Sequence, residues 1–296
     1  MKCSSPYVHM SQAHPCGQCL ACRINKRRQW CHRIMLESLL HPQNSFLTLT
    51  YRDECLPMSS SGLPTLSPKH SRNFLKRLRK KAEPLRLRYF LVGEYGDVTQ
   101  RPHYHLAMFG LSNCRFGTTQ LTKRKTRCCP ECDFVQEAWG LGNVYLGELN
   151  QQSAQYVAGY VCKKMTGKDD IRLDGRHPEF ARMSLRPGIG ADFIPEVASS
   201  LMQHEIDTED VPNVLRHGRA VYPLGRYLKG KLREHLGRAK EVPQSVKIKV
   251  EQEMQPMRTL AFASSRSLKE VVKEAYHGQT LQAEKRYALK RKRGSI

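Results

Sequence analysis

Residues 101–110 read RPHYHLAMFG, two histidines one residue apart at the head of an apolar run. In an extended strand alternate side chains share a face, so His103 and His105 stand side by side with Tyr104 turned the other way. Two neutral imidazoles so placed can chelate one divalent cation and leave coordination positions open. They can equally be the polar face of a half-buried strand. The preceding run LRLRYFLVGEY (85–95) is also strand-like and GDVTQRP between the two reads as a turn, which makes the pair a hairpin. Glu94 ends the first strand, nine residues before His103, and the hairpin brings it across as a third ligand. Two histidines and a carboxylate suit Mg²⁺ or Mn²⁺ and leave sites for a phosphate oxygen.

Working outward, FLTLTY (46–51) and NVYLGEL (143–149) are further strands, and a helix is expected from about Ile24 to Leu40. Ser67-Pro68 caps a second helix that turns Phe74, Leu75 and Leu78 inward. Its other face carries Lys69, Arg72, Lys76, Arg77, Arg79, Lys80 and Lys81 with no acidic residue among them, a pattern that favours phosphate contact. SAQYVAGYVCKKM (153–165) is a third helix. The fold class that follows is α+β, a central antiparallel sheet flanked by helices. Four segments are expected. Residues 1–45 are a cysteine-rich segment with a basic helix, 46–165 the core with a cysteine-rich insertion at 114–132, 166–240 an accessory region rich in Pro, Gly and Arg, and 241–296 a basic helical tail. From residue 247 onward that tail holds twelve Lys/Arg against five Glu.

The 296 residues carry a formal charge of +22, from 49 Lys+Arg against 27 Asp+Glu, which points to a polyanionic partner, nucleic acid before all others. No run of eighteen or more apolar residues and no apolar signal core is present, so the expectation is a cytoplasmic protein with no membrane partner. No GxxxxGK[ST] motif marks a nucleotide-driven motor. In a reducing compartment the eleven cysteines read as thiols or metal ligands. Cys16, Cys19 and Cys22 have zinc-type spacing, with Cys3 or His14 available as the fourth ligand. Cys114, Cys128, Cys129 and Cys132 form a second Zn²⁺ site or share ligands with the first. Cys31, Cys55 and Cys162 are expected to be unligated.

QYVAGYVCKK (155–164) supplies the rest of the chemistry. At about 100° per residue, Tyr160 falls roughly 40° from Tyr156 around the helix and Lys163 roughly 20° to the other side. The three therefore share one face. Two tyrosines four apart are ordinary packing residues in most helices; beside a metal-binding histidine pair they become nucleophile candidates. A phenol, with a pKa of about 10, needs help to attack a phosphate, and a nearby Lys⁺ and a metal ion supply it.

With HYH inside RPHYHLAMFG, YVAGYVCKK downstream and FLTLTY upstream, residues 14–190 resemble the HUH endonucleases of rolling-circle replication, in the two-tyrosine branch. CGQCLACR, KRLRK, GEYGDVTQRPHYH and SLRPGIG resemble the replication initiators of gokushovirus-type microviruses. The resemblance implies an HUH-type fold with His103, His105 and, with a looser match, Glu94 as Mg²⁺ or Mn²⁺ ligands. It implies Tyr156 and Tyr160 as nucleophiles and Lys163 as the assisting lysine. It further implies nicking of double-stranded replicative-form DNA at the phage origin through a 5′-phosphotyrosine, and later closure of a single-stranded circle. Host helicase, polymerase and single-strand-binding protein would be partners in the bacterial cytoplasm. Two other readings compete: a plasmid or transposon nickase with the same chemistry, and a non-catalytic zinc-stabilised nucleic-acid-binding protein.

Overall fold

A computed structural model describes residues 3–9, 12–120, 128–160, 170–205 and 209–292, with side chains described as far as residue 289. The chain divides into two units, Trp30–Phe193 and a second made of Met1–Gln29 with Ile194–Ile296. In chain order the elements are β1 (Tyr7–His9), β2 (Gln12–His14), α1 (Leu20–Leu39), β3 (Asn44–Thr50), α2 (Pro68–Ala82), β4 (Arg88–Tyr95), β5 (Pro102–Phe109), α3 (Pro130–Trp139), β6 (Val144–Glu148) and α4 (Gln151–Tyr160). They continue with β7 (Phe180–Met183), α5 (Ile194–Gln203), β8 (Val214–His217), β9 (Ala220–Pro223), α6 (Gly225–His235), α7 (Gln244–Ala263), α8 (Leu268–Ala275) and α9 (His277–Lys292). The helical character expected of the basic tail is present in α7 to α9. No described helix is long and apolar enough to cross a membrane.

The Trp30–Phe193 unit is built on a five-stranded sheet of order β6-β3-β5-β4-β7, antiparallel at every junction. This is the α+β architecture expected from the alternation. The β4–β5 hairpin is closed by Gly96 N–H to Arg101 O and Gln100 N–H to Gly96 O, both 3.0 Å. Period-two alternation then sorts the strand residues between two faces. Leu47, Leu49, Leu91, Tyr104, Leu106, Met108 and Leu146 face one way, into a core with Phe74, Leu75 and Leu78 of α2 and Val135, Ala138 and Trp139 of α3. Each such large side chain removed from water contributes about 1.5–3 kcal/mol. The opposite face carries Phe46, Thr48, Val92, Glu94, His103 and His105, and α4 packs across β4 and β5 on that side.

Helix α2 forms as its sequence dictates: the Ser67 hydroxyl accepts the His70 N–H (3.3 Å), and Pro68 takes the first helical position. Its basic face is less free than the sequence suggests. Arg77 donates to the carbonyls of Ala138 (2.7 Å) and Trp139 (3.0 Å), and Arg79 to that of Leu87 (3.3 Å). Lys81 pairs with Glu137 of α3. These three cations fasten α2 to its neighbours, because the acidic partner and the carbonyls come from residues distant in sequence. Lys69, Arg72, Lys76 and Lys80 remain an exposed stripe.

Two elements were not anticipated. The cysteine-rich insertion runs into α3, which has Cys129 as N-cap, Pro130 at its first position, Glu131 and Asp133 in its first turn and left-handed Gly140 (φ 64°) as C-cap. Trp139 Nε1 donates to Thr50 O (2.8 Å), and a Cβ on Gly142 would stand 2.1 Å from that same oxygen, so only glycine fits the return to β6. Strand β7, in the region expected to be mixed, completes the sheet beside β4. In the other unit, Arg233 is buried and forms a bidentate pair with Asp210, both bonds 2.7 Å. Hydrogen bonding from Arg233 holds the Asp210 carboxyl below its ordinary range.

Candidate active site

Strand register assembles the cluster. Glu94 of β4 stands opposite His103 of β5, and Thr48 of β3 stands opposite His105. The Nε2 atoms of His103 and His105 lie 2.7 and 2.9 Å from the same oxygen, Glu94 Oε1. Glu94 and His105 are buried and His103 is partly exposed.

The ring hydrogen bonds determine what these atoms can hold. Arg101 O lies 3.1 Å from His103 Nδ1, and a carbonyl only accepts, so Nδ1 carries the proton. The Nε2 lone pair of a neutral His103 then points at a carboxylate oxygen, an arrangement that requires a proton or a cation between them. Thr48 Oγ1 meets His105 Nδ1 at 2.9 Å and can fix the matching tautomer. Adjacent ligands of an octahedral Mg²⁺, bonded at about 2.0–2.1 Å, lie about 2.9 Å apart. The spacing of the three donors fits such an ion.

Helix α4 sets two phenols over this cluster. Asn150 caps its start by accepting the Ser153 N–H (2.9 Å). The Tyr156 ring stands edge-on to His105 (centroids 5.0 Å), while that of Tyr160 stacks on it (5.1 Å, 11°). The two tyrosine rings are 4.9 Å apart, and the Tyr160 hydroxyl hydrogen-bonds Tyr156 and Glu94. Tyr156 is 43% exposed, which leaves it open to a large substrate. Burial first, and the Glu94 charge second, push the Tyr160 phenol far above its ordinary range. Phe46 lies parallel to His105 (5.8 Å) and edge-on to Tyr156 (6.0 Å). Lys163 lies outside the described residues.

His103, His105, Glu94, Tyr156 and Tyr160 are thus brought together. Thr48, Phe46 and the Arg101 carbonyl join them and were not singled out in the sequence. The alternation of FLTLTY marks Thr48 as a polar-face residue, but nothing local pairs it with His105.

The cysteines gather in two sets, Cys3 with Cys16, Cys19 and Cys22, and Cys114 with Cys128, Cys129 and Cys132. The first set therefore includes Cys3; His14 stacks on Tyr7 instead (5.2 Å). Cys31 and Cys55 belong to neither set, and Cys162 lies outside the described residues. Burial raises the Cys19 thiol, but hydrogen bonds from Ser4 and Cys22 outweigh it and bring it to about 6.

Residues 44–165 match the family model of the ORF2-type replication-associated proteins. The chain is 34% identical over 194 residues to the Replication-associated protein ORF2 of Spiroplasma virus 4, covering 62% of this chain and 57% of that protein. It is 32% identical over 191 residues to the Replication-associated protein VP4 of Bdellovibrio phage phiMH2K (62% and 58%). It is 28% identical over 226 residues to the Replication-associated protein ORF4 of Chlamydia phage 1 (74% and 53%). The chain thus spans a little over half the length of these curated relatives. No solved structure matches at a significant level. The segment that carries the histidine pair, Glu94 and both tyrosines therefore belongs to the family of ORF2-type replication-associated proteins, and the chain is a relative of phage replication-associated proteins.

Proposed function

We propose that this protein starts rolling-circle replication of a small phage genome by nicking one strand of its origin and later rejoining that strand. The observation that carries this reading is the convergence of two phenols from one helix on a two-histidine, one-carboxylate cluster. A non-catalytic nucleic-acid-binding protein would have no use for that convergence. The similarity to phage proteins favours a phage initiator over a plasmid or transposon nickase.

His103, His105 and Glu94 would hold Mg²⁺ or Mn²⁺. A cation bound there would draw off the negative charge that develops on the scissile phosphate. Arg101 O and Thr48 Oγ1 keep both Nδ1 atoms occupied, so both Nε2 lone pairs stay available to it. Once Glu94 shares its charge with a cation, it no longer opposes ionisation of Tyr160. A tyrosine oxygen then attacks phosphorus, the P–O3′ bond breaks, and the phenolic proton ends on the departing 3′ oxygen. The products are a free 3′-OH, which a host polymerase extends, and a 5′-phosphotyrosine that conserves the bond energy. After one round the second tyrosine cuts the regenerated site. The released 3′-OH attacks the first phosphotyrosine, frees its phenol and closes the circle. Lys163 assists phenol ionisation in this scheme, and host helicase and single-strand-binding protein complete the machinery.

Incubation of the full chain with end-labelled supercoiled phage DNA and Mn²⁺ tests the reading. A denaturant-stable protein–DNA adduct, lost in the Tyr156→Phe/Tyr160→Phe double variant, is the expected result. The same adduct in the double variant would remove both tyrosines from the chemistry.

A further inference from the structure

The two cysteine sets are built alike. In each, one cysteine immediately precedes a helix and another is its third residue: Cys19 and Cys22 at α1, Cys129 and Cys132 at α3. Each pair is completed by two cysteines from outside the helix, Cys3 and Cys16 in one case and Cys114 and Cys128 in the other. Sγ atoms stand 3.7 Å apart for Cys3–Cys19, 3.6 Å for Cys114–Cys128 and 3.7 Å for Cys114–Cys129. These separations are far beyond an S–S bond of about 2.05 Å. They equal the edge of a tetrahedron with metal–sulfur bonds of about 2.3 Å, which is about 3.8 Å. A multi-iron cluster would hold its cysteines much farther apart.

The donors around the sulfurs are those that thiolates need. Ser5 N–H (3.4 Å) and Cys16 N–H (3.3 Å) point at Cys3 Sγ, and Gln18 N–H (3.4 Å) and Cys19 N–H (3.2 Å) at Cys16 Sγ. In the second set Gln120 N–H lies 3.1 Å from Cys128 Sγ, and the Thr119 hydroxyl 3.2 Å from Cys132 Sγ. Helix N-termini add positive potential beside Cys22 and Cys132. Four soft ligands and no open position describe a structural Zn²⁺ site.

The second set also reaches the sheet. Thr119, whose hydroxyl touches Cys132, accepts the Leu146 N–H (2.7 Å) on that hydroxyl and donates its own N–H to Leu146 O (3.0 Å). Thr118 bridges to Gly147. The loop after Cys114 thus runs along the open edge of β6, the strand that leads through Asn150 into the tyrosine helix.

We infer that the chain binds two zinc ions, one on Cys3, Cys16, Cys19 and Cys22 and one on Cys114, Cys128, Cys129 and Cys132, the second fastening the sheet edge from which α4 springs. Its bearing on strand cleavage rests on the proposed nicking reaction; the metal content and the clamp do not.

Elemental analysis of the full wild-type chain should find two zinc per chain, and alkylation mapped by mass spectrometry should find those eight cysteines protected until zinc is stripped. Cys128→Ser/Cys132→Ser should retain one zinc and lose hydrogen-exchange protection over residues 144–160. Cys16→Ser/Cys19→Ser should also retain one zinc, with that protection intact. If a variant does not fold, stepwise zinc release from the wild type with a mercurial, followed by exchange, reads the same coupling. Iron in place of zinc, disulfides within a set, or fewer than two metals per chain would overturn the sites. Unchanged protection over 144–160 after loss of the second zinc would overturn the clamp.

Discussion

Thr48→Val is the most discriminating test of how the histidine centre is prepared. Thr48 Oγ1 lies 2.9 Å from His105 Nδ1. Valine keeps the branched shape and the strand propensity but has nothing to accept a proton. For His105 to offer Nε2 to a cation, its proton must sit on Nδ1, and in the variant that buried N–H loses this acceptor, a cost of about 1–3 kcal/mol. Without metal the ring escapes the cost by carrying its proton on Nε2, where Glu94 Oε1 accepts it 2.9 Å away. The penalty therefore falls on the metal-bound state alone. Loss of such an outer-shell partner typically lowers metal affinity about 10–100-fold, equivalent to about 1.4–2.7 kcal/mol. Mn²⁺ titration by calorimetry reads that loss directly, and thermal unfolding without metal should stay at the wild-type midpoint. Thr48→Ser, which keeps the hydroxyl, should restore affinity. Wild-type Mn²⁺ affinity in the valine variant would refute the reasoning, as would an equal loss of metal-free stability, since Thr48 would then only pack.

His103→Ala or His105→Ala should abolish nicking while leaving most DNA affinity in a filter-binding assay, because phosphate contacts on basic surfaces supply that affinity; near-wild-type nicking would dismiss the metal assignment. Tyr156→Phe and Tyr160→Phe singly should each still nick supercoiled origin DNA but yield few closed circles, and normal circle yield from both would sink the two-nucleophile scheme. Glu37→Ala should cost about 3–5 kcal/mol in a denaturant melt, since it strips a fully buried partner from the buried Arg88; a neutral result would show that Arg88 does not need it. Asp210, held low by Arg233, contributes stability above its unfolded value near 3.8 and loses it as pH falls through the lower folded value. Acid unfolding of wild type and Asp210→Asn should therefore differ most above that window and converge below it.

What the sequence disclosed was what short-range rules encode. Alternation placed His103, His105 and Glu94 on one sheet face, and Ser67-Pro68 announced α2. The four-residue step from Tyr156 to Tyr160 put both rings on one side of α4. The misreadings share a different cause. Cys3 was no better a fourth ligand than His14 until the β1–β2 hairpin, whose register pairs Tyr7 with His14, returned the chain and brought Cys3 to the CxxC turn. FARM has no alternation to mark it as a strand; β7 forms because β4 offers an open edge. Arg77 and Lys81 looked like free cations because their partners, the end of α3 and Glu137, lie more than fifty residues away.

The division of the sheet into two faces also decides which tyrosines can react. Tyr104 lies between the two histidines in sequence, yet its neighbours' parity turns it away from them. Its hydroxyl is buried on the far side, 2.9 Å from Tyr51 Oη and 2.8 Å from Ser67 N. Burial raises its phenol to about 12. No rearrangement short of a one-residue register shift would bring it to a phosphate, and such a shift would turn Leu106 and Met108 out of the core with it. Tyr145 of β6, by contrast, is on the histidine face and 40% exposed, with Phe46 between it and the cluster. If an adduct survived in the Tyr156→Phe/Tyr160→Phe variant, peptide mapping should find it on Tyr145. An adduct on Tyr104 would mean that the strand register, and with it the metal site, is wrong.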